Sequence, residues 1–256
     1  MREKFKQQKV GKFYDLVWGK YIPEEEEHRK HLEIFFKDEE INKKKILDAG
    51  CGTGIFSVIF AKKGAEKVFG IDISEESLNT AKSLARKFNL NNIEFKVDDM
   101  LNLQFPDKYF DIVWAWGSAH HTTNPLKAID ELIRALADRG VLFIALYKKT
   151  NLTWLHELIR RICILAPRFC WVPLSKIMAV FLWPVTKIFK REESKRRGEK
   201  LEELILDWYF VPVRHYFNPD FIKNYLENKG FFIEKYLPLC GRFESTTNFI
   251  FKARKK

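Results

Sequence analysis

The chain has 256 residues, 46% of them hydrophobic and 15% aromatic, which suits one α/β domain with an insertion and excludes a disordered chain. Its formal charge of +11 is uneven: residues 151–200 hold eleven Lys/Arg against four Asp/Glu. Such a basic excess attracts RNA, anionic lipid or a phosphorylated substrate, or simply keeps a surface soluble.

Residues 1–44 read as a helical lead-in or cap, with Leu32, Phe35 and Phe36 apolar among charges and Glu24–Glu27 a solvated helix start. From Lys45 the pattern alternates. Ile46–Ala49 is a short apolar strand that ends at a glycine turn, and helical residues follow from Ile55 to Lys63. Val68–Asp72 is a second strand. Ser74 then caps a helix with Glu75 and Glu76 in its first turn, and Leu78, Ala81, Leu84, Ala85 and Phe88 form its apolar face. Ile93–Val97 and Phe110–Trp116 are further strands. Asn124-Pro125 starts a helix whose stripe runs from Leu126 to Leu136, and Arg139-Gly140 turns into the apolar strand Val141–Tyr147. After an interruption, Asn218-Pro219 opens a last helix, followed by strands near Phe231–Leu237 and Thr246–Lys252. The expected fold is α/β: a doubly wound, mostly parallel seven-stranded sheet of Rossmann-like type with a helical insertion after strand 5. The expected divisions are a 1–44 cap, a 45–150 core, a 151–206 insertion and a 207–256 return to the core.

Ligands of such sheets bind at the C-terminal strand edge, near the switch point. There the chain reads Asp48-Ala49-Gly50-Cys51-Gly52-Thr53-Gly54. Glycines let the turn tighten and the backbone approach a ligand, and the next helix points its N-terminus at it. Asp72 ends the second strand, where a carboxylate can accept both hydroxyls of a ribose. Asp98-Asp99-Met100 ends the third, where a carboxylate can accept from an adenine amino group. The glycine turn alone also suits a dinucleotide, although a G-x-G-x-x-G fingerprint would place the third glycine one residue later.

The segments LDAGCGTG (47–54), GIDIS (70–74), VDDMLNLQF (97–105) and FDIVWAWGSAHHT (110–122) together resemble the class I S-adenosylmethionine-dependent methyltransferases. The likeness is strong over about residues 45–147 and loose over 215–252. It implies S-adenosyl-L-methionine as cofactor and a cofactor site made of Asp48, Gly50, Cys51, Gly52, Thr53, Gly54, Asp72, Ile73, Asp99, Met100, Trp116 and Gly117. Asp48 would orient the loop and the ligand's amino group, Asp72 the ribose, and Asp99 the adenine, with Asp98 its rival. Trp116 and Gly117 would flank the sulfonium.

Methyl transfer is an in-line displacement at an activated carbon, so the protein chiefly positions the acceptor, and a base is needed only where the acceptor loses a proton. His121 and, less favoured, His120 follow the fourth strand: they either take that proton or hold the loop through hydrogen bonds. Tyr14, Trp18, Tyr21, Trp208 and His215 are candidates for the acceptor pocket or for ordinary packing. His28 and His31 read as surface residues, and no metal is expected. Relatives of this fold that methylate exocyclic amino groups carry Asn/Asp-Pro-Pro-aromatic where this chain has Ala115-Trp116-Gly117-Ser118. This speaks against that amino chemistry and leaves O-, C- or other N-methylation open, with O- or C-methylation favoured. The tail of the fourth strand, with its histidine pair, is similar to enzymes acting on small or lipid-like acceptors, including the ubiquinone-type O-methyltransferases. The alternatives are an RNA methyltransferase, for which no RNA-binding appendage is visible, and a non-catalytic binding module.

The insertion mixes apolar runs with Arg168, Lys176, Lys187, Lys190-Arg191 and Lys195–Arg197, too interrupted for a spanning helix. It reads as a lid over the site, as a segment contacting a membrane surface, or both. The four cysteines, Cys51, Cys163, Cys170 and Cys240, lack a C-x-x-C spacing, and the N-terminus lacks an apolar signal core. The expected setting is cytoplasmic, peripheral at a membrane if the insertion binds one.

Overall fold

The computed structural model describes residues 2–17, 19, 24–189, 201–240 and 244–256. Trp18, Tyr21, Lys190-Arg191 and Lys195–Arg197 lie outside the described residues.

Helices α1 (Arg2–Val17), α2 (Glu25–Phe35) and α3 (Asp38–Ile41) lead into β1 (Lys45–Ala49), α4 (Ile55–Lys62), β2 (Lys67–Asp72), α5 (Glu75–Lys87), β3 (Ile93–Val97) and β4 (Phe110–Trp116). Then come α6 (Pro125–Ala135), β5 (Leu136–Tyr147), α7 (Thr153–Cys163), α8 (Trp171–Phe189), α9 (Leu201–Tyr209), α10 (Pro219–Asn228), β6 (Phe231–Cys240) and β7 (Glu244–Lys255). The seven strands form one sheet in the order β3-β2-β1-β4-β5-β7-β6. The first five are parallel, and β7 runs antiparallel to both β5 and β6. The central strands are buried on both faces, which is why Ile112–Ala115 and Val141–Leu146 are apolar without alternation.

The two sides of each strand feed two cores. Leu47, Val113, Leu142 and Ile144 meet Ile129 and Leu132 of α6 and Ile222 and Leu226 of α10. Ile46, Val68, Ile112, Trp114 and Phe143 meet Val58, Ile59 and Phe60 of α4 and Leu32 and Phe35 of α2. A third core joins α1 to the insertion, with Phe13, Trp171, Ile205, Leu206, Tyr209 and Phe210 buried together. Asn124 and Asn218 cap α6 and α10 through their side chains, each with proline in the first turn, and Ser74 accepts from Ser77 N at the start of α5.

One local expectation fails. The stripe of α6 ends at Ala135, not Leu136, and Arg139-Gly140 is no turn between elements. Leu136 already pairs with Phe110, and the residues before Val141 form an irregularity in the ladder, with Arg139 at φ 61°. A side chain at 140 would meet the Ala137 carbonyl and the Leu136 side chain at 2.8 Å, so the bulge needs glycine there. The division expected at residue 206 falls inside α9.

Candidate active site

The loops that leave the C-terminal ends of β1, β2 and β4 converge on one cavity of about 290 Å³, near the lower end of the range for small-molecule sites. The glycine turn after β1 is anchored to β2: Gly50 N and Cys51 N both donate to the Ile71 carbonyl, at 2.8 and 2.9 Å. Gly50 has φ 72°, and a Cβ there would stand 2.3 Å from the Ser118 Cβ; Ser118 Oγ in turn donates to the Ala49 carbonyl at 2.7 Å. The turns after β1 and β4 therefore touch because residue 50 has no side chain. Gly52, at φ 53°, is the opposite case, since a Cβ there would meet nothing within 4 Å. Its backbone faces open space at the cavity wall.

Two carboxylates stand beside this turn. Asp72 Oδ2 accepts from Gly52 N and Oδ1 from Ser74 N, both at 2.9 Å. A carboxylate has about four lone-pair positions, so each oxygen keeps capacity for a ligand hydroxyl. Burial raises the Asp72 pKa despite those bonds. Asp48 is buried, accepts from Ser57 Oγ at 2.6 Å, and is pushed up to about 7, chiefly by burial. A cation beside it would restore its charge. Burial also raises the Cys51 thiol, which makes it a weak nucleophile.

Helix α1 straps this edge. Asp15 accepts from Ser74 Oγ at 2.6 Å, and Gln7 donates to Asp99 Oδ1 at 3.3 Å while accepting from Thr123 N at 3.2 Å. The two carboxylates at the third strand's end are placed differently. Asp98 lines the cavity and Asp99 does not; Gln7 of α1 lines it and bonds Asp99. The Asp98 oxygens accept from Asp99 N and Gln104 N and so fold the loop. Met100 lines the cavity and Gly54 does not; a Cβ at Gly54 would strike Ala81 and Phe95, so the helix packs closely there.

The opposite wall is aromatic and carries a histidine and a further carboxylate. Trp116 continues a stack with Trp114 and Phe143 and lines the cavity with Tyr14, His121, Tyr147, Asp207 and Asn248. His121 Nδ1 lies 2.9 Å from the Val213 carbonyl oxygen, which can only accept, so Nδ1 carries the proton and Nε2 is the basic atom. Burial lowers the His121 pKa to about 4, while Asp207 pulls it the other way. Tyr147 OH donates to Asp207 Oδ2 at 3.2 Å. Buried Arg214 holds this wall from behind, donating to the Trp208 and Asp207 carbonyls at 2.7 and 3.0 Å, with Nη2 3.3 Å from Tyr147 OH. The Asn248 Oδ1 atom is buried without a protein hydrogen-bond partner. A buried acceptor in a cavity wall wants a donor from a ligand or water.

Several expected pocket residues stand elsewhere. His120 is fully buried behind the wall, its ring 4.0 Å from that of Tyr147, and burial drives its pKa well down. His215 N donates to the His120 carbonyl, and the Trp208 carbonyl accepts from Arg214; neither residue lines the cavity. His28 and His31 are half-buried: Leu32 and Phe35 seat α2 on the core, which brings His28 against Phe56 and into the cavity lining and His31 against Trp116. Sequence reasoning missed Gln7, Tyr147, Asp207 and Asn248. Asn248 ends the polar run Glu244–Asn248 that precedes Phe249–Phe251, and neither it nor Gln7 stands out in the sequence. Among the described residues no group of three or more His, Cys, Asp or Glu side chains is placed to hold a metal.

The model of a methyltransferase domain matches residues 41–197, more than half of the chain. The chain is 31% identical over 147 residues to the chloroplastic tocopherol O-methyltransferase of Arabidopsis thaliana, covering 54% of this chain and 42% of that one. It is 30% identical over 119 residues to a ubiquinone biosynthesis O-methyltransferase of Neisseria meningitidis, covering 45% and 49%. The matches thus span about half or less of these relatives' length. Magnesium protoporphyrin IX methyltransferase from Synechocystis, solved with bound SAH, shares the fold at a TM-score of 0.57 and 20% identity, over 90% of this chain and 84% of that one. By its match to the methyltransferase domain and its sheet order, the chain belongs to the class I S-adenosylmethionine-dependent methyltransferase family.

Proposed function

We propose that the chain transfers a methyl group from S-adenosylmethionine (SAM) to a hydroxyl on a small, lipid-like aromatic acceptor. One observation carries this: a single cavity has the glycine turn, Asp48 and Asp72 on one wall and Trp116, His121, Tyr14 and Tyr147 on the other. The residues fit the cofactor. Asp72 retains acceptor capacity for two ribose hydroxyls, Gly52 presents bare backbone, and half-charged Asp48 suits an ammonium group. SAM supplies a methyl group bound to positive sulfur, which leaves as a neutral thioether.

On the acceptor side, the aromatic walls hold a flat apolar ring, and Asn248 Oδ1 is available to orient a hydroxyl. His121 takes the hydroxyl proton at Nε2 as the acceptor oxygen bonds to the methyl carbon. Asp207 is the charge on this wall that favours the resulting imidazolium. The acceptor class draws on the two relatives, named for tocopherol and for ubiquinone biosynthesis. A lipid-like acceptor also places the enzyme peripherally at a membrane; among the described residues no single helix is long and apolar enough to cross one.

The test is incubation of the protein with methyl-labelled SAM, a cellular lipid extract and prenylated hydroquinones. Label in the organic phase as a methyl ether is the expected result, and a ring-methylated product would move the reaction to carbon. Label confined to RNA, or none despite SAM binding, would overturn the reading in favour of an RNA enzyme or a binding module.

A further inference from the structure

Helix α7 seats only part of its apolar surface. Its inner face is mixed: Ile159 and Cys163 pack on the third core, His156 Nδ1 lies 2.9 Å from Tyr209 OH, and Arg160 donates to the Val211 and Pro212 carbonyls and pairs with Glu157. A second apolar stripe faces solvent, with Trp154, Leu158 and Ile162 at i, i+4, i+8 spacing and 66%, 48% and 61% exposed. Leu165 and Phe169, just beyond α7, are each 82% exposed, and Phe181 on α8 is 77% exposed. A helix that turned this stripe inward would gain about 1.5–3 kcal/mol per large side chain. The polar contacts of His156 and Arg160 forbid that rotation, so the stripe is left for something outside the protein.

We propose that the elbow of α7 and α8 docks on an anionic lipid bilayer, lying in its interface. The charge pattern selects this occupant. Arg161 on α7, Arg168 in the turn between the helices and Lys176 on α8 are exposed on the same elbow as the apolar stripe, and residues 151–200 as a whole carry a net +7. Apolar and aromatic side chains beside cations are what an interfacial segment presents to acyl chains and phosphates. The two helices together pass for apolar length but are bent by 116°, a shape that suits an elbow lying in the interface rather than a straight crossing. The 11 residues of α7 span about 16 Å against a hydrocarbon core of about 30 Å. The elbow is also tied to the cavity: α7 and α8 pack on α9, whose Asp207 lines the acceptor wall. A docked elbow therefore holds that wall at the membrane, which rests on the lipid-like acceptor proposed above for its purpose but not for its chemistry.

The test is co-sedimentation of the full chain with phosphatidylcholine vesicles, with and without phosphatidylglycerol, alongside SAM calorimetry. The wild type is expected to bind the anionic vesicles, more weakly at high salt and on pure phosphatidylcholine. The triple variant L158E/I162E/F169E alters exposed side chains only. It is expected to lose at least tenfold in partitioning while its affinity for SAM is unchanged. Absence of binding to anionic vesicles at low salt, or equal binding by the triple variant, would overturn the proposal. So would a stable wild-type dimer that the same substitutions dissociate, since a second copy would then cover the stripe. Vesicle binding without SAM binding would support the docking surface and overturn the methyl-transfer reading.

Discussion

The two walls of the cavity are built on different principles. The cofactor wall is local: Asp48, Gly50, Gly52 and Asp72 fall within 25 residues of sequence, and backbone amides do most of the bonding. The acceptor wall is assembled from α1, the end of β4 and the turn after it, β5, α9 and β7, so its residues are up to 234 positions apart, from Tyr14 to Asn248. Where backbone makes the site, a short motif specifies it; where buried side chains make it, only the fold brings them together.

Breaking the acceptor wall chemically gives the largest expected effect. Asn at position 121 keeps a donor for the Val213 carbonyl but supplies no base. H121N is expected to lower kcat about 10²- to 10⁴-fold while SAM affinity by calorimetry stays unchanged. The rate of the wild type is expected to hold as pH falls and to drop only as pH approaches about 4, where His121 protonates. Stability carries the same sign. With the folded value held below the unfolded one of about 6.5, the neutral-histidine contribution is present above that pH and is lost as pH falls through about 4.

Removing the guanidinium behind that wall comes next. R214M leaves the Trp208 and Asp207 carbonyls and the Tyr147 hydroxyl without their donor. Removing one partner of a buried ionic network typically costs about 3–5 kcal/mol, and denaturant unfolding is expected to show a loss near that size. A change below about 1 kcal/mol would mean that the wall stands without Arg214.

The cofactor wall separates two glycines. G50A is expected to destabilise the fold, because its Cβ meets the Ser118 side chain in a positive-φ backbone. G52A adds only the positive-φ cost of about 1–2 kcal/mol, and its Cβ projects into open space, so it is expected to weaken SAM binding more than it lowers the melting temperature. Equal effects of the two on both readouts would erase the distinction between packing and approach.

The smallest effect concerns Asp48. Its folded pKa, about 7, lies above the unfolded value of about 3.9. The unliganded protein therefore has its full increment of stability below about pH 4 and loses it as pH rises through about 7. SAM, a cation, reverses that cost: affinity is expected to rise up to tenfold per pH unit below about 7 and then level, and D48N is expected to flatten the slope.

The parallel sheet, the turn at 50–54 and Asp72 were all readable from the chain, because strand burial and the glycine turn are local demands on residue type. The limits of α6 were not: Leu136 continues the helical stripe, yet pairing with Phe110 draws it into β5. The family pattern favours Asp99 over Asp98, but the contact of Asp99 with Gln7, which α1 brings from 92 positions away, was not readable. The same holds for Tyr147 and Asp207, which only the fold brings together. In α7 the periodicity was visible but its orientation was not, because burial of Arg160 depends on carbonyls at 211 and 212.

Calorimetric titration of SAM into the wild type and into D72A tests the core of this account most directly. One molecule bound per chain, with affinity reduced about hundredfold or more in a folded D72A through loss of charge-assisted hydrogen bonds, is the expected result. Undiminished binding by D72A, or none by the wild type, would contradict it.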